Sequence, residues 1–138
     1  MTEFKALYAG TEKMRGLIAG ANRGWELSQA HGSVSELWAH LGKNPAELAS
    51  LDAILIEESL FEGDERKKFA SFVTTMAPFV FVGLIGNGRG NDEIAAAVDA
   101  ETERLGAWSS FDYYFVSEKD LRAGLSNAVS SMGSSKVS

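Results

Sequence analysis

Apolar positions along the chain fall into two kinds of segment. Short dense runs read as strands, and longer stretches with an apolar residue every three or four positions read as helices. Phe4 to Ala9 (FKALYA) is the first run and stops at Gly10, after which Thr11 can cap a helix with Met14, Leu17, Ile18 and Ala21 inward. Trp25 to Ala30 is a second, less apolar strand candidate. Ser33-Val34-Ser35-Glu36 has the capping-box spacing, and Val34, Leu37, Trp38 and Leu41 give the helix behind it one apolar face. Asn44-Pro45-Ala46-Glu47 starts a further short helical turn, with proline at its favoured first position.

Asp52-Ala53-Ile54-Leu55-Ile56 is a continuous apolar run entered by an aspartate, as suits a strand buried on both faces of a parallel sheet. Gly63-Asp64 opens a helix carrying Phe69, Phe72, Val73 and Met76. After Pro78, Phe79 to Ile85 (FVFVGLI) is the clearest strand in the chain. The loop from Gly86 to Asn91 follows, then a helix from about Asp92 with Ile94, Val98 and Leu105 inward, closed by Gly106. Phe111 to Val116 (FDYYFV) is a fifth strand. Ser117 and Asp120 form a second capping pattern, and Leu121, Leu125, Val129 and Met132 define the last helix.

Strand and helix alternate throughout. Parallel neighbours need right-handed helical crossovers, so the expected product is a three-layer, doubly wound α/β domain. It has a five-stranded parallel sheet of flavodoxin-like order 2-1-3-4-5. The domain is expected over residues 1–132, with 133–138 as a flexible tail or linker.

Composition narrows the function classes. The chain has 138 residues, 45% of them hydrophobic, enough for one real core. Its net charge of −6, with no basic stripe interleaved with aromatics, disfavours nucleic acid. It has no cysteine, which excludes disulfides, thiolate metal sites and cysteine nucleophiles, and a cytoplasmic protein is the simple expectation. No apolar run is long enough for a membrane-spanning helix, so membrane insertion is not expected.

In a sheet of this order the ligand crevice lies at the carboxyl ends of the strands, near the first and third. Ala9, Gly10, Thr11 and Glu12, then Glu57, Glu58 and Ser59, and Gly83 belong there. Here the chain resembles bacterial receiver domains. Leu51-Asp52-Ala53-Ile54-Leu55-Ile56-Glu57 matches the receiver's third strand, which ends in the phosphoacceptor aspartate. Pro78-Phe79-Val80-Phe81-Val82-Gly83 resembles the fourth strand, and Gly106-Ala107 the step before the fifth.

The departures matter as much. The acceptor position holds Glu57. The paired acids after the first strand become Ala9 and Gly10, with Glu12 displaced onto the helix. The threonine or serine position is Gly83, and the lysine position falls near Tyr113 or Tyr114. A receiver needs carboxylates for Mg²⁺, a short carboxylate nucleophile and a lysine for the phosphate. The resemblance therefore implies a pseudo-receiver with no enzymatic activity, no metal and no cofactor. It implies signalling through the fourth helix, fifth strand and fifth helix, where Trp108, Phe111, Tyr113, Tyr114 and Phe115 are the candidate interface for a homodimer or another protein. Within that class the chain is similar to the N-terminal domain of TadZ/CpaE-type pilus-assembly proteins, in which a ParA/MinD-like ATPase follows. No P-loop motif occurs here.

Other readings remain open. Glu57 and Glu58 are a residual cation site, a mimic of the charged state, or a solvated strand end. Three glycines in five positions leave the loop after residue 85 free to move, with little side chain to pin it. His31 and His40 suit surface or cap chemistry. The alternative function is a flavodoxin-like domain that binds a small ligand or nucleotide.

Overall fold

The computed structural model describes residues 4–21, 25–27, 32–60, 65–76, 80–88, 91–104 and 114–137. Its elements follow in the expected alternation. They are β1 (Phe4–Ala9), α1 (Glu12–Ala21), β2 (Trp25–Leu27), α2 (Val34–Lys43), α3 (Glu47–Ser50), β3 (Ala53–Glu57), α4 (Glu65–Met76), β4 (Phe81–Gly86), α5 (Asn91–Arg104), β5 (Tyr114–Ser117) and α6 (Leu121–Val137). Single 3₁₀ turns follow β3 at Glu58–Leu60 and β5 at Glu118–Asp120. The five strands form one parallel sheet in the order β2-β1-β3-β4-β5. The fold is the flavodoxin-like α/β architecture that the alternation of patterns implies.

Strand alternation divides the core in two. Leu7, Ala9, Ile54, Ile56, Val82 and Leu84 point to one face and pack on Val34, Leu37 and Leu41 of α2, Phe69, Phe72 and Val73 of α4, and Ile94 and Val98 of α5. Ala6, Tyr8, Ala53, Leu55, Ile85 and Val116 point to the other, against Met14 and Ile18 of α1 and Leu125 of α6. Three long helices thus cover one side and two the other.

Local chemistry fixes the ends of the elements. The Ser33 hydroxyl accepts from the Glu36 amide at 3.2 Å, and Glu36 reaches back to the amide of Gly32. His40 Nε2 pairs with Glu47 Oε2 at 2.6 Å, joining α2 to α3. Asp52 clamps the start of β1: its carboxylate accepts from the Lys5 amide and its own amide donates to the Lys5 carbonyl, both at 2.8 Å.

Some boundaries differ from the sequence reading. β5 begins at Tyr114 and runs to Ser117, whereas Phe111 to Val116 was expected; residues 111–113 lie outside the described set. The second-strand residues 28–30, His31, the 63–64 helix start, Pro78, Leu105, Gly106-Ala107 and Trp108 also lie outside it. Helix α6 continues to Val137, past the expected end at Met132. Beyond Met132 the sequence is small and polar, so no apolar period marks the helix there.

Phe72 is fully buried and meets Trp38 edge to face, with ring centroids 5.2 Å apart. Phe72→Ala should therefore lower unfolding stability by about 3–5 kcal/mol through lost transfer energy and an unfilled cavity. Urea denaturation would read this as a lower midpoint at an unchanged slope.

Candidate functional site

The carboxyl edge of the sheet is organised by two consecutive glutamates that face opposite ways. Glu57 ends β3 on the side of Ala53 and Leu55, which is covered by α1 and α6. It is 8% exposed. A buried carboxylate needs compensating donors. Glu57 Oε2 accepts from the Thr11 amide at 2.8 Å and faces the Tyr8 hydroxyl at 3.4 Å. The same hydroxyl lies 3.0 Å from the Thr11 carbonyl, so one phenolic proton is shared between two acceptors.

This knot closes over Gly10. Its φ is +152°, and a Cβ there would stand 2.6 Å from Glu57 Oε2 and 2.7 Å from Glu57 Cβ, and would also strike the Tyr8 hydroxyl. Glycine is required on both counts. Ala9, the other position of the expected acidic pair, is fully buried and packs on the α2, α4 and α5 side, away from Glu57. Glu12 is exposed on α1 and bonds Arg15 Nε at 2.9 Å.

Glu58 turns the opposite way. Its Oε2 accepts from the Gly88 amide at 2.9 Å, and its side chain packs over Gly86, where no Cβ would fit. Gly88 has φ +85°, and the Phe115 ring stands 3.6 Å from where its Cβ would be. The start of the 86–91 loop, expected to have little apolar side chain to pin it, thus has a polar anchor, the Glu58 carboxylate on the Gly88 amide. Arg89 and Gly90 lie outside the described residues.

Gly83 sits in the middle of β4, paired with Leu55, and a Cβ there would meet Leu55 Cδ2 at 2.8 Å. The strand ends three residues later at Gly86, and Glu57 is level with Ile85. Of the aromatic set, Trp108, Phe111 and Tyr113 lie outside the described residues. Tyr114 and Phe115 are half-buried on opposite faces of β5. Tyr114 stacks at a tilt on Phe81, with centroids 5.6 Å apart.

Above Glu57 opens a cleft of about 500 Å³, lined by Thr11, Lys13, Met14 and Leu17 on one side and by Glu118 and Lys119 on the other. The two lysines were not expected. A fifth strand ending at Val116 puts the lysine position at Tyr113 or Tyr114; the strand reaches Ser117, and the turn after it carries Lys119 to the cleft. Among the described residues no three histidine or acidic side chains gather as a metal site, and no helix is long and apolar enough to cross a membrane.

No protein-family model and no curated protein sequence matches the chain. Solved structures share its fold, two pilus-related proteins among them. One is named as a pilus assembly protein (cpaE) from Burkholderia thailandensis E264. It aligns with a TM-score of 0.57 at 15% identity, over 92% of this chain and 98% of its own. The other is named as a pilus assembly-related protein from Burkholderia pseudomallei K96243. Its TM-score is 0.57 at 14% identity, over 93% of this chain and 90% of its own. At such identities the likeness is one of fold.

The Tyr8 phenol is pushed above its ordinary value near 10, first by burial and then by the adjacent Glu57 carboxylate. The folded protein thus keeps this proton at a pH where the unfolded chain releases it. The stability so gained is complete below about pH 10 and falls as the pH rises further. Urea midpoints should drop with rising pH in this range, and Tyr8→Phe should flatten the drop. At neutral pH the same substitution should cost about 1.5–3 kcal/mol for the lost hydrogen bond to a charged group.

Proposed function

We propose that this chain is a phosphorylation-independent, receiver-like interaction module without enzymatic activity. The observation that carries the reading is the state of Glu57. The carboxylate at the phosphoacceptor position is only 8% exposed, and its Oε2 is taken by the Thr11 amide and the Tyr8 hydroxyl. An acceptor must present a free oxygen to the incoming phosphorus with a cation beside it. Here the residues before the helix are Ala9 and Gly10, one turned into the core and the other unable to carry any side chain.

A pilus-assembly setting is the reading favoured by the names of the two structural neighbours. In that setting the domain serves localisation or oligomerisation, beside an ATPase domain of the kind the sequence resemblance implies. Its partner face is α5, β5 and α6, the counterparts of the receiver's fourth helix, fifth strand and fifth helix. β5 is the sheet's edge on that side, and an unprotected edge strand favours pairing or cover. A second copy of the chain is the proposed occupant.

Two experiments test this reading. Incubation with a small phosphodonor and Mg²⁺ should leave the intact mass unchanged, and Glu57→Asp should not restore phosphorylation, because Gly10 still cannot hold an acid. A stoichiometric phosphoryl adduct on the wild type would sink the proposal. Light scattering should find a dimer or a concentration-dependent average. Ala100→Arg, at an exposed α5 position, should shift it to monomer with an unchanged circular-dichroism spectrum. A strictly monomeric wild type at high concentration would refute the self-association half.

A further inference from the structure

The cleft above Glu57 has the size of a small-molecule site, and most of its lining takes no part in holding the fold. Lys13 and Lys119 are exposed, come from two different elements, and have no ion-pair partner among the described residues. The same lining carries an apolar patch. Met14 is nearly buried, but Leu17 is 49% exposed, the only large hydrophobic side chain so exposed among the described residues. On the floor, Glu57 turns Oε2 to the Thr11 amide and the Tyr8 hydroxyl, whose donors partly offset its charge. Glu118 remains as an exposed carboxylate at the rim.

We propose that this cleft binds a small organic anion, its apolar body on Met14 and Leu17 and its charged end held by the ammoniums of Lys13 and Lys119. The ligand class follows from the lining. A ligand that covers Leu17 removes apolar surface from water, and a phosphate or carboxylate group gains charge-assisted bonds from two otherwise unpartnered ammoniums. The crevice also lies at the carboxyl edge of the sheet, where open α/β sheets hold ligands. No cation and no transfer of a phosphoryl group is involved. The inference thus goes beyond the interaction-module reading and does not depend on it.

The test is a two-dimensional NMR titration of the 138-residue chain with phenyl phosphate, without Mg²⁺. Saturable shifts are expected at the amides of residues 11–14 and 117–119, with a Kd of about a few millimolar or tighter for a ligand of this size. The double variant Lys13→Gln/Lys119→Gln should weaken binding by about tenfold or more. Leu17→Ser should weaken phenyl phosphate but leave inorganic phosphate unchanged. Glu118→Gln should tighten binding by about two- to fivefold, by removing a like charge from the rim. Equal binding of phenethylammonium, shifts unaltered in the double glutamine variant, or no saturable response up to about 20 mM would each overturn the site. A phosphoryl adduct in the mass experiment would sink the pseudo-receiver reading and leave this titration untouched.

Discussion

One buried carboxylate sets the terms for the carboxyl edge of this sheet. Glu57 is 8% exposed, and the oxygen it turns into the protein, Oε2, must be answered by protein donors. The answer comes from β1 and the turn after it, and it fixes three further residues. Tyr8 must point to the same face as Glu57, and it does so by strand alternation. Thr11 must turn its amide back toward β3. Gly10 must have no side chain, because the hydroxyl and the carboxylate fill the place where its Cβ would be. Hydrogen bonds to a charged group are each worth about 1.5–3 kcal/mol, and deleting one partner leaves the charge uncompensated. These four positions therefore act as a unit.

The next residue repeats the device on the other side. Because neighbouring side chains leave β3 in opposite directions, Glu58 faces the β4–α5 loop and ties the Gly88 amide. Two adjacent acids thereby anchor two loops across the central strand, and each lies over a glycine that leaves it room. In a receiver the corresponding edge presents acids to a cation and a free carboxylate to the phosphate. This edge presents carboxylates already bonded to the backbone. Putting an acid back at Gly10 would break the Glu57 knot before it made a cation site, and an acid at Ala9 would point into the opposite core.

The sheet and its order were legible because a parallel sheet covered on both faces needs runs as apolar as Asp52–Ile56 and Phe79–Ile85, with amphipathic crossovers between them. The helix starts at Thr11 and Ser33 were legible from local capping chemistry. The state of Glu57 was not. A glutamate closing an apolar run looks the same whether it meets water or a donor, and its partners lie 46 and 49 residues away in sequence. Lys119 was missed for a different reason. The aromatic residues from Phe111 onward pull the expected strand toward the N-terminus, and no pattern in the sequence places the turn residue Lys119 beside α1. Gly83 shows the same effect in β4, where the strand continues through a glycine that the receiver-like pattern takes as its end. The periodicity reading itself, Phe79 to Ile85, ends within one residue of the observed Gly86.

The fold also accounts for where the cleft opens. From β1 the chain crosses to β2 at one edge of the sheet; from β3 it crosses to β4 and β5 at the other. The loops after β1 and β3 therefore leave in opposite directions, and a crevice forms above the pair. Its floor is Glu57, whose bonded oxygen offers an incoming cation less than a free carboxylate would. Its walls are α1 and the turn after β5, which bring one lysine each. With one oxygen of Glu57 committed to the Thr11 amide and neither lysine in an ion pair among the described residues, the groups left to act on a ligand are two ammoniums, the Glu118 carboxylate at the rim and an apolar patch, where a phosphorylation site would gather acids. The proposed organic anion would meet that surface at the position where the doubly wound topology leaves its opening.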